Sequence, residues 1–364
     1  MREAELRVSL PALAGNARAI RGMLPRGVKL MAVVKADAYG HGLVPAAQAF
    51  LAGGADALAV ALVEEAGALR AAGLTAPILV LGGANRESAE EAVRIGAVQA
   101  VFTPQTLGDL QAAAEKFGVR AQAHLKIDTG MARIGARGAD QIARMLDAWR
   151  DCPAVDMAGI FTHFAACGTD DAYTAQQDAR FRDAINMARA AGFSPMTHAA
   201  ATDALACSRY RYDMARPGLA LYGCGVRGIE LRAAQTLAAK PVRIERIPAG
   251  ETVSYGRTFS APRDMTVMTV PVGYGDGYPR ALSNRAHALV LGRRAPLIGR
   301  VCMDMTMFDI TDIPGANLQS EVVLLGAQGA DAITPAELAE IAGTIPYEIM
   351  LGFLPRLRRA YVRA

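Results

Sequence analysis

At 364 residues, 52% hydrophobic and 20% charged, the chain is longer than one ordinary compact core and too apolar to be disordered, so two domains are expected. A formal net charge of +4 over scattered arginines offers no nucleic-acid surface, and no uncharged apolar stretch reaches the roughly 18 to 20 residues that span a bilayer. The start, Met1-Arg2-Glu3-Ala4-Glu5, has acid where a secretory signal has an apolar core, and five cysteines without a C-x-x-C pair suit reduced thiols and offer no zinc framework; a cytoplasmic protein without a metal site is expected.

The first clear element is the apolar run 28–34, which reads as a buried strand and ends abruptly in Lys35. The glycine-rich turn Ala38-Tyr39-Gly40-His41-Gly42 follows, then a helix over 45–52 closed by Gly53-Gly54. A lysine at the end of a buried strand is poorly solvated, which disfavours its charge and makes it a nucleophile able to form a Schiff base with a carbonyl cofactor. The ordinary alternative is a lysine whose stem lies along the strand and whose head reaches water.

From there strands over 57–61, 77–81, 98–102, 121–127, 157–163, 195–198 and 214–222 alternate with amphipathic helices over 64–72, 87–95, 106–117, 140–150 and 174–191. Several of those helices stop at a glycine, as helix C-termini do. This beat predicts an α/β fold with an N-terminal (β/α)8 TIM-like barrel. A doubly wound open sheet competes, but its phosphate fingerprint G-x-G-x-x-G is missing after the first strand. Beyond residue 231 the rhythm changes to short β-rich runs at 242–247, 266–272, 288–291, 295–301, 306–309 and 321–325, with only 334–342 helix-like. The expected organisation is a barrel over 1–230, with the first few residues able to join the other domain, and a mostly β C-terminal domain over 231–364.

Barrel active sites collect at the C-terminal ends of the strands, and the unusual polar residues fall there. Lys35 follows strand one, Lys126 and Asp128 end strand five with Arg133 just beyond, and His163 ends strand six. His198 and Thr202 follow strand seven, and Arg216, Pro217 and Gly218 are placed on strand eight. Each alone could be structural; together on one face they indicate a site. The hydroxyl and backbone donors near Thr202 and Gly218 suit a phosphate. Phosphate with a nucleophilic lysine points to pyridoxal phosphate, although a phosphosugar aldolase would use the same groups. The β-domain adds Tyr255 at a turn, the loop Gly273-Tyr274-Gly275-Asp276-Gly277, and Arg300-Val301-Cys302-Met303-Asp304.

Together these motifs resemble the alanine racemases over nearly the whole chain. The anchors are Val34-Lys35-Ala36-Asp37-Ala38-Tyr39-Gly40-His41-Gly42, Asp128-Thr129-Gly130-Met131-Ala132-Arg133-Ile134-Gly135, Arg216-Pro217-Gly218, Ser254-Tyr255-Gly256 and the two β-domain loops. The resemblance implies pyridoxal 5'-phosphate as cofactor and interconversion of L- and D-alanine by two bases. These are Lys35, which also holds the cofactor, and Tyr255 contributed by the second subunit of a homodimer. It further implies that Tyr39, Thr202, Gly218 and Tyr347 bind the phosphate, that His163 contacts the ring, and that Arg216 faces the pyridine nitrogen. Arg133 and Met303 would hold the substrate carboxylate, Tyr274 of the partner would stand at the entrance, and Lys126 matches a lysine that is carbamylated in several members.

The two-base arrangement suits the chemistry, because a stereocentre inverts when one face loses a proton and the other gains one. A tyrosine base needs a phenol below its usual pKa of about 10, and a cation such as protonated His163 or an arginine would lower it. Arg216 has no acceptor, so it disfavours a protonated ring nitrogen and weakens the ring as an electron sink. Two departures stand out. His198-Ala199-Ala200-Ala201-Thr202-Asp203 replaces the usual Asn-Ser pair, keeping a hydroxyl but losing an amide and adding a carboxylate. Phe353 stands where an arginine is frequent. The alternatives are a broader amino-acid racemase, a non-catalytic pyridoxal phosphate-binding protein, which would lack the β-domain, and a decarboxylase of similar fold. The role would be supply of D-alanine for peptidoglycan precursors, or its catabolism.

Overall fold

The computed structural model describes residues 3–226 and 228–363, so Met1 and Arg2 of the N-terminal segment lie outside the described residues. The chain does not begin in the barrel. Strand β1 (Ala4–Ser9) is followed by a helix, Leu10–Met23, that Ser9 caps by accepting the Ala12 N–H and that Pro11 opens. Neither element was expected as such, although the first few residues were expected to be able to join the β-domain: β1 alternates buried and half-buried residues and has no partner nearby in sequence.

Eight parallel strands then close a barrel: β2 (Lys29–Val33), β3 (Ala57–Val60), β4 (Ile78–Val80), β5 (Val98–Val101), β6 (Ala121–Lys126), β7 (Val155–Phe161), β8 (Met196–His198) and β9 (Met214–Ala215), with β9 pairing back onto β2. β3, β4 and β5 are buried at every position, as strands covered on both faces must be. The expected α/β fold, a TIM-like barrel followed by a mostly β domain, is therefore what the chain adopts. The eighth strand is shorter than expected, and Arg216, Pro217 and Gly218 lie beyond its end rather than on it. Pro217 has no N–H to extend a ladder, and Leu219–Tyr222 turns into a 3-10 helix.

The second region is built from β10 (Gln235–Ala239), β11 (Arg243–Ile247), β12 (Thr252–Val253), β13 (Phe259–Ser260), β14 (Met265–Val270), β15 (His287–Val290), β16 (Arg293–Pro296), β17 (Thr306–Asp309), β18 (Val322–Gln328), β19 (Asp331–Ile333) and β20 (Arg358–Val362). Its main sheet has the order β16-β15-β18-β10-β1-β20, with β19 on β18; β11-β14-β17 and β12-β13 form smaller sheets. The N-terminal strand β1 sits inside this sheet, antiparallel to β10 and parallel to β20. One apolar core fills the barrel and its helices, and a second fills the β-region, where Phe353 is buried. An arginine there would be desolvated, so phenylalanine suits the position. Among the described residues no helix is long and apolar enough to cross a membrane.

The turn after β2 is unusual. Ala36, Asp37, Ala38 and Tyr39 all have φ between 52° and 54°, a left-handed turn made without a single glycine. Each such residue costs roughly 1–2 kcal/mol, so surrounding contacts must enforce the conformation.

Candidate functional site

The C-terminal mouth of the barrel holds a cavity of 360 Å³ lined by Lys35, Tyr39, Lys126, Arg133, His163, Thr202, Arg216, Gly218 and Tyr347, with Asp203 as its only carboxylate. Nine residues singled out in the sequence thus converge on one space. Lys35 projects from the end of β2, half-buried, and burial lowers its pKa, with Arg133 adding to the shift and Glu65 opposing it.

At the cavity floor Arg216 is 4% exposed. Its Nη2 donates to the carbonyls of Thr162 (2.7 Å) and Ala199 (3.2 Å), and its Nη1 donates to His198 Nδ1 at 2.6 Å. An arginine cannot accept, so His198 must carry its proton on Nε2, which lies 2.8 Å from His124 Nδ1. Burial lowers the Arg216 pKa to about 9, which leaves it a cation at neutral pH. Phe161 stacks on His198 with centroids 4.8 Å apart, and Lys126 Nζ lies 4.6 Å from the same ring. Lys126 sits well below the ordinary lysine range, first through burial and then through Arg216 and Arg133.

At the other end Thr202 Oγ1 accepts from the backbone N–H groups of Gly218 (3.3 Å) and Ala220 (3.2 Å). A Cβ at Gly218 would lie 2.3 Å from the Tyr39 hydroxyl, so only glycine leaves that end open. Tyr39 and Tyr347 pack with centroids 5.6 Å apart, and burial raises both phenols, which keeps them as O–H donors. Donors and cations around one enclosed space suit an anionic guest.

The remaining candidates lie elsewhere. Tyr255, 71% exposed, and Met303, 51% exposed, line a separate cavity of 410 Å³ in the β-region that shares no residue with the first. Tyr274 is 39% exposed at the Gly273–Gly277 loop. A single copy therefore does not bring Tyr255, Tyr274 or Met303 to Lys35. The cation sought beside Tyr255 is not His163, whose pKa burial, with Arg216 next, holds down to about 3.

Not anticipated from sequence are His124, Phe161 and Glu65. Glu65 Oε1 accepts the Ala36 N–H at 2.5 Å and its Oε2 the Ala61 N–H at 2.8 Å, fixing the turn that carries Lys35. The available signal was a glutamate three residues after Leu62 at a helix start, a capping arrangement. His124 lay in plain view two residues before Lys126, on the inward face of β6.

Four histidines are kept neutral by burial: His41 at about 4, His124 and His163 at about 3, and His198 well below the ordinary value. The unfolded chain takes up these protons below pH of about 6.5, whereas the folded chain resists until far lower pH. The histidine contribution to stability is thus complete above that value and declines as pH falls, by up to about 1.4 kcal/mol per pH unit for each histidine. Urea unfolding at pH 7.5, 6 and 5 should show this loss growing steeply; a flat profile would contradict it.

The chain matches the family model of the alanine racemase N-terminal domain over residues 8–225 and that of the C-terminal domain over residues 234–361. It is 38% identical to alanine racemase 2 of Caldanaerobacter subterraneus subsp. tengcongensis across 100% of this chain and 95% of that one. It is 40% identical to the alanine racemase of Symbiobacterium thermophilum across 99% and 97%. Among solved structures, alanine racemase from Streptomyces coelicolor A3(2) superimposes with a TM-score of 0.94 at 34% identity, covering 100% of this chain and 98% of that one. The alanine racemase of Bacillus anthracis with bound L-Ala-P gives 0.91 at 32% identity, covering 100% and 96%.

Proposed function

The chain belongs to the alanine racemase family, and from that premise we propose that it interconverts L- and D-alanine with pyridoxal 5'-phosphate, in a site shared between two copies of the chain. The observation that carries the cofactor reading is the cavity's make-up: Lys35, Lys126, Arg133 and Arg216 against one carboxylate, with two phenols and a glycine-opened cradle at one end. That set fits a phosphorylated aldehyde, since the lowered Lys35 can reach an aldehyde while Tyr39, Thr202, Gly218 and Tyr347 take the phosphate.

When bound, pyridoxal phosphate supplies an aldehyde for the amino group of alanine and a ring that withdraws electrons from its Cα–H bond. Arg216 would stand toward the ring nitrogen, where a fixed cation without an acceptor disfavours its protonation. His163, kept neutral by burial, would contact the ring. Arg133 meets the substrate carboxylate with two parallel N–H bonds, aided by the backbone at Met303 of the second copy. Lys126, whose pKa burial and then Arg216 and Arg133 hold well below the ordinary lysine range, could add carbon dioxide with loss of a proton, and the resulting carbamate anion would orient Arg133. Lys35 Nζ moves a proton at one face of the substrate Cα, and Tyr255 Oη of the second copy at the other. Tyr255, exposed on its own subunit, is free to enter a neighbour's barrel mouth, with Tyr274 at the entrance. A homodimer supplying D-alanine for cell-wall precursors is the role this chemistry serves.

Deuterium exchange at the α-carbon, measured in D2O across a panel of amino acids with cofactor-loaded protein, tests this reading. Exchange and racemisation with alanine, and little with larger side chains, is the expected result. Comparable rates across the panel would indicate a broader racemase, and no exchange with any amino acid would remove the enzymatic reading of these residues.

A further inference from the structure

The left-handed turn that follows Lys35 is held from the β-region of the same chain. Gly40 O accepts from Gln235 Nε2 on β10 at 3.0 Å and from Arg359 Nε on β20 at 3.1 Å. Arg359 Nη1 also pairs with Asp37 Oδ2 at 3.0 Å, so one guanidinium holds a side chain within the turn and the carbonyl of the glycine that follows it. The other oxygen of Asp37 accepts the Leu43 N–H at 2.8 Å, and the Ala36 N–H is taken by Glu65. The β-region also presses close: a Cβ at Gly40 would lie 2.4 Å from Met350 O, and one at Gly42 would lie 2.0 Å from the Tyr361 hydroxyl. The turn opens with Lys35 and ends with Tyr39, which reaches the opposite end of the cavity beside Gly218 and Tyr347. Its geometry therefore sets how far apart the lysine and the phosphate-end phenol stand.

We propose that Arg359, assisted by Gln235, is a positioning residue for Lys35: the C-terminal β-region clamps the left-handed turn of its own subunit and so presents the lysine amine into the cavity. Four non-glycine residues at positive φ do not hold such a conformation unaided. The clamp contacts two acceptors at the turn, the Asp37 carboxylate and the Gly40 carbonyl. Arginine is suited to this because its rigid fork donates in two directions at once, whereas a lysine meets only one acceptor well. The Asp37 pair is partly exposed, with side-chain exposures of 28% for Arg359 and 46% for Asp37, so the effect is moderate and rests on the pairing with Gly40. Release of the turn would let the Lys35 amine into water and return it toward the ordinary lysine range, opposing the lowering that burial now imposes.

The inference rests on Lys35 being the cofactor's attachment point, and the experiment separates the two. Full-length wild type, Arg359→Met, Arg359→Lys, Gln235→Leu and Lys35→Ala are stripped of cofactor and mixed with pyridoxal phosphate. Borohydride trapping and peptide mapping then read the rate of covalent capture at Lys35 as a function of pH, with melting temperature measured alongside. Arg359→Met is expected to slow capture about tenfold at neutral pH, as for loss of one charge-assisted hydrogen bond, and to move the pH midpoint of capture upward. Arg359→Lys should recover part of the rate, and Gln235→Leu should show a smaller shift of the same sign. Wild-type rates and pH profiles in Arg359→Met and Gln235→Leu would overturn the clamp. If Arg359→Met does not fold, the same comparison between Arg359→Lys and Gln235→Leu decides it. A wild-type protein that forms no adduct at Lys35 would instead overturn the cofactor reading, and the clamp with it.

Discussion

Replacing Tyr255 by phenylalanine is expected to lower racemisation by roughly 10²- to 10⁴-fold, the range for removing a positioned acid–base group. The change deletes one hydroxyl from a side chain that is 71% exposed, so melting temperature should hardly move. The informative readout is stereochemical. With one base missing, one enantiomer of alanine keeps a base opposite its Cα–H and continues to exchange that proton with solvent, while the other does not. Exchange retained in only one enantiomer, with inversion lost, is the signature of a two-base site. Equal residual exchange in both would mean that a single group serves both faces. Lys35→Ala should be at least as damaging, because the same amine is proposed to hold the cofactor.

The second large effect is expected at Arg216. Substitution by glutamate should raise the formation of pyridoxamine phosphate per turnover and depress racemisation, because a carboxyl group can share a proton with the ring nitrogen where the guanidinium cannot. The structure adds a cost that sequence alone does not show. Arg216 supplies donors to His198 Nδ1, Thr162 O and Ala199 O, and an ionised carboxylate among three acceptors would be destabilising by about 3–5 kcal/mol, as for a broken buried charge arrangement. The Arg216→Glu protein should therefore melt lower and favour a protonated carboxyl. Arg216→Gln, which keeps one donating amide, serves as its partner for separating fold from chemistry. An unchanged ratio of pyridoxamine phosphate to racemised alanine in folded Arg216→Glu would sink this account of the arginine.

The barrel was legible because strands such as Ala57–Val60 and Ile78–Val80 are uninterrupted apolar runs and its helices carry caps, as with Thr103 accepting the Thr106 N–H and Gly118 closing Pro104–Phe117 in the left-handed region. The cavity was legible because its residues stand at strand ends, where a barrel has one shared mouth. Less visible were features that depend on partners remote in sequence. β1 joins the β-region because β10 and β20, more than two hundred residues away, accept it, and β20 reads Arg358-Arg359-Ala360-Tyr361-Val362, charged as exposed edges are. The left-handed turn after Lys35 has no local signal, because alanine and tyrosine do not choose positive φ and one aspartate does not specify a run of four; Glu65, Gln235 and Arg359 impose it. His124 was overlooked for a similar reason, since its importance comes from facing His198 across the barrel interior.

The central claim is that one working site is assembled from two copies, Lys35 from one and Tyr255 from the other. Lys35→Ala and Tyr255→Phe chains, each strongly impaired alone, can be co-expressed with different tags and assayed together. With random pairing half of the dimers are mixed, and each mixed dimer regains one of its two sites, so about one quarter of wild-type racemisation should return. Activity in the mixture no greater than the sum of the two variants measured separately would contradict the shared site.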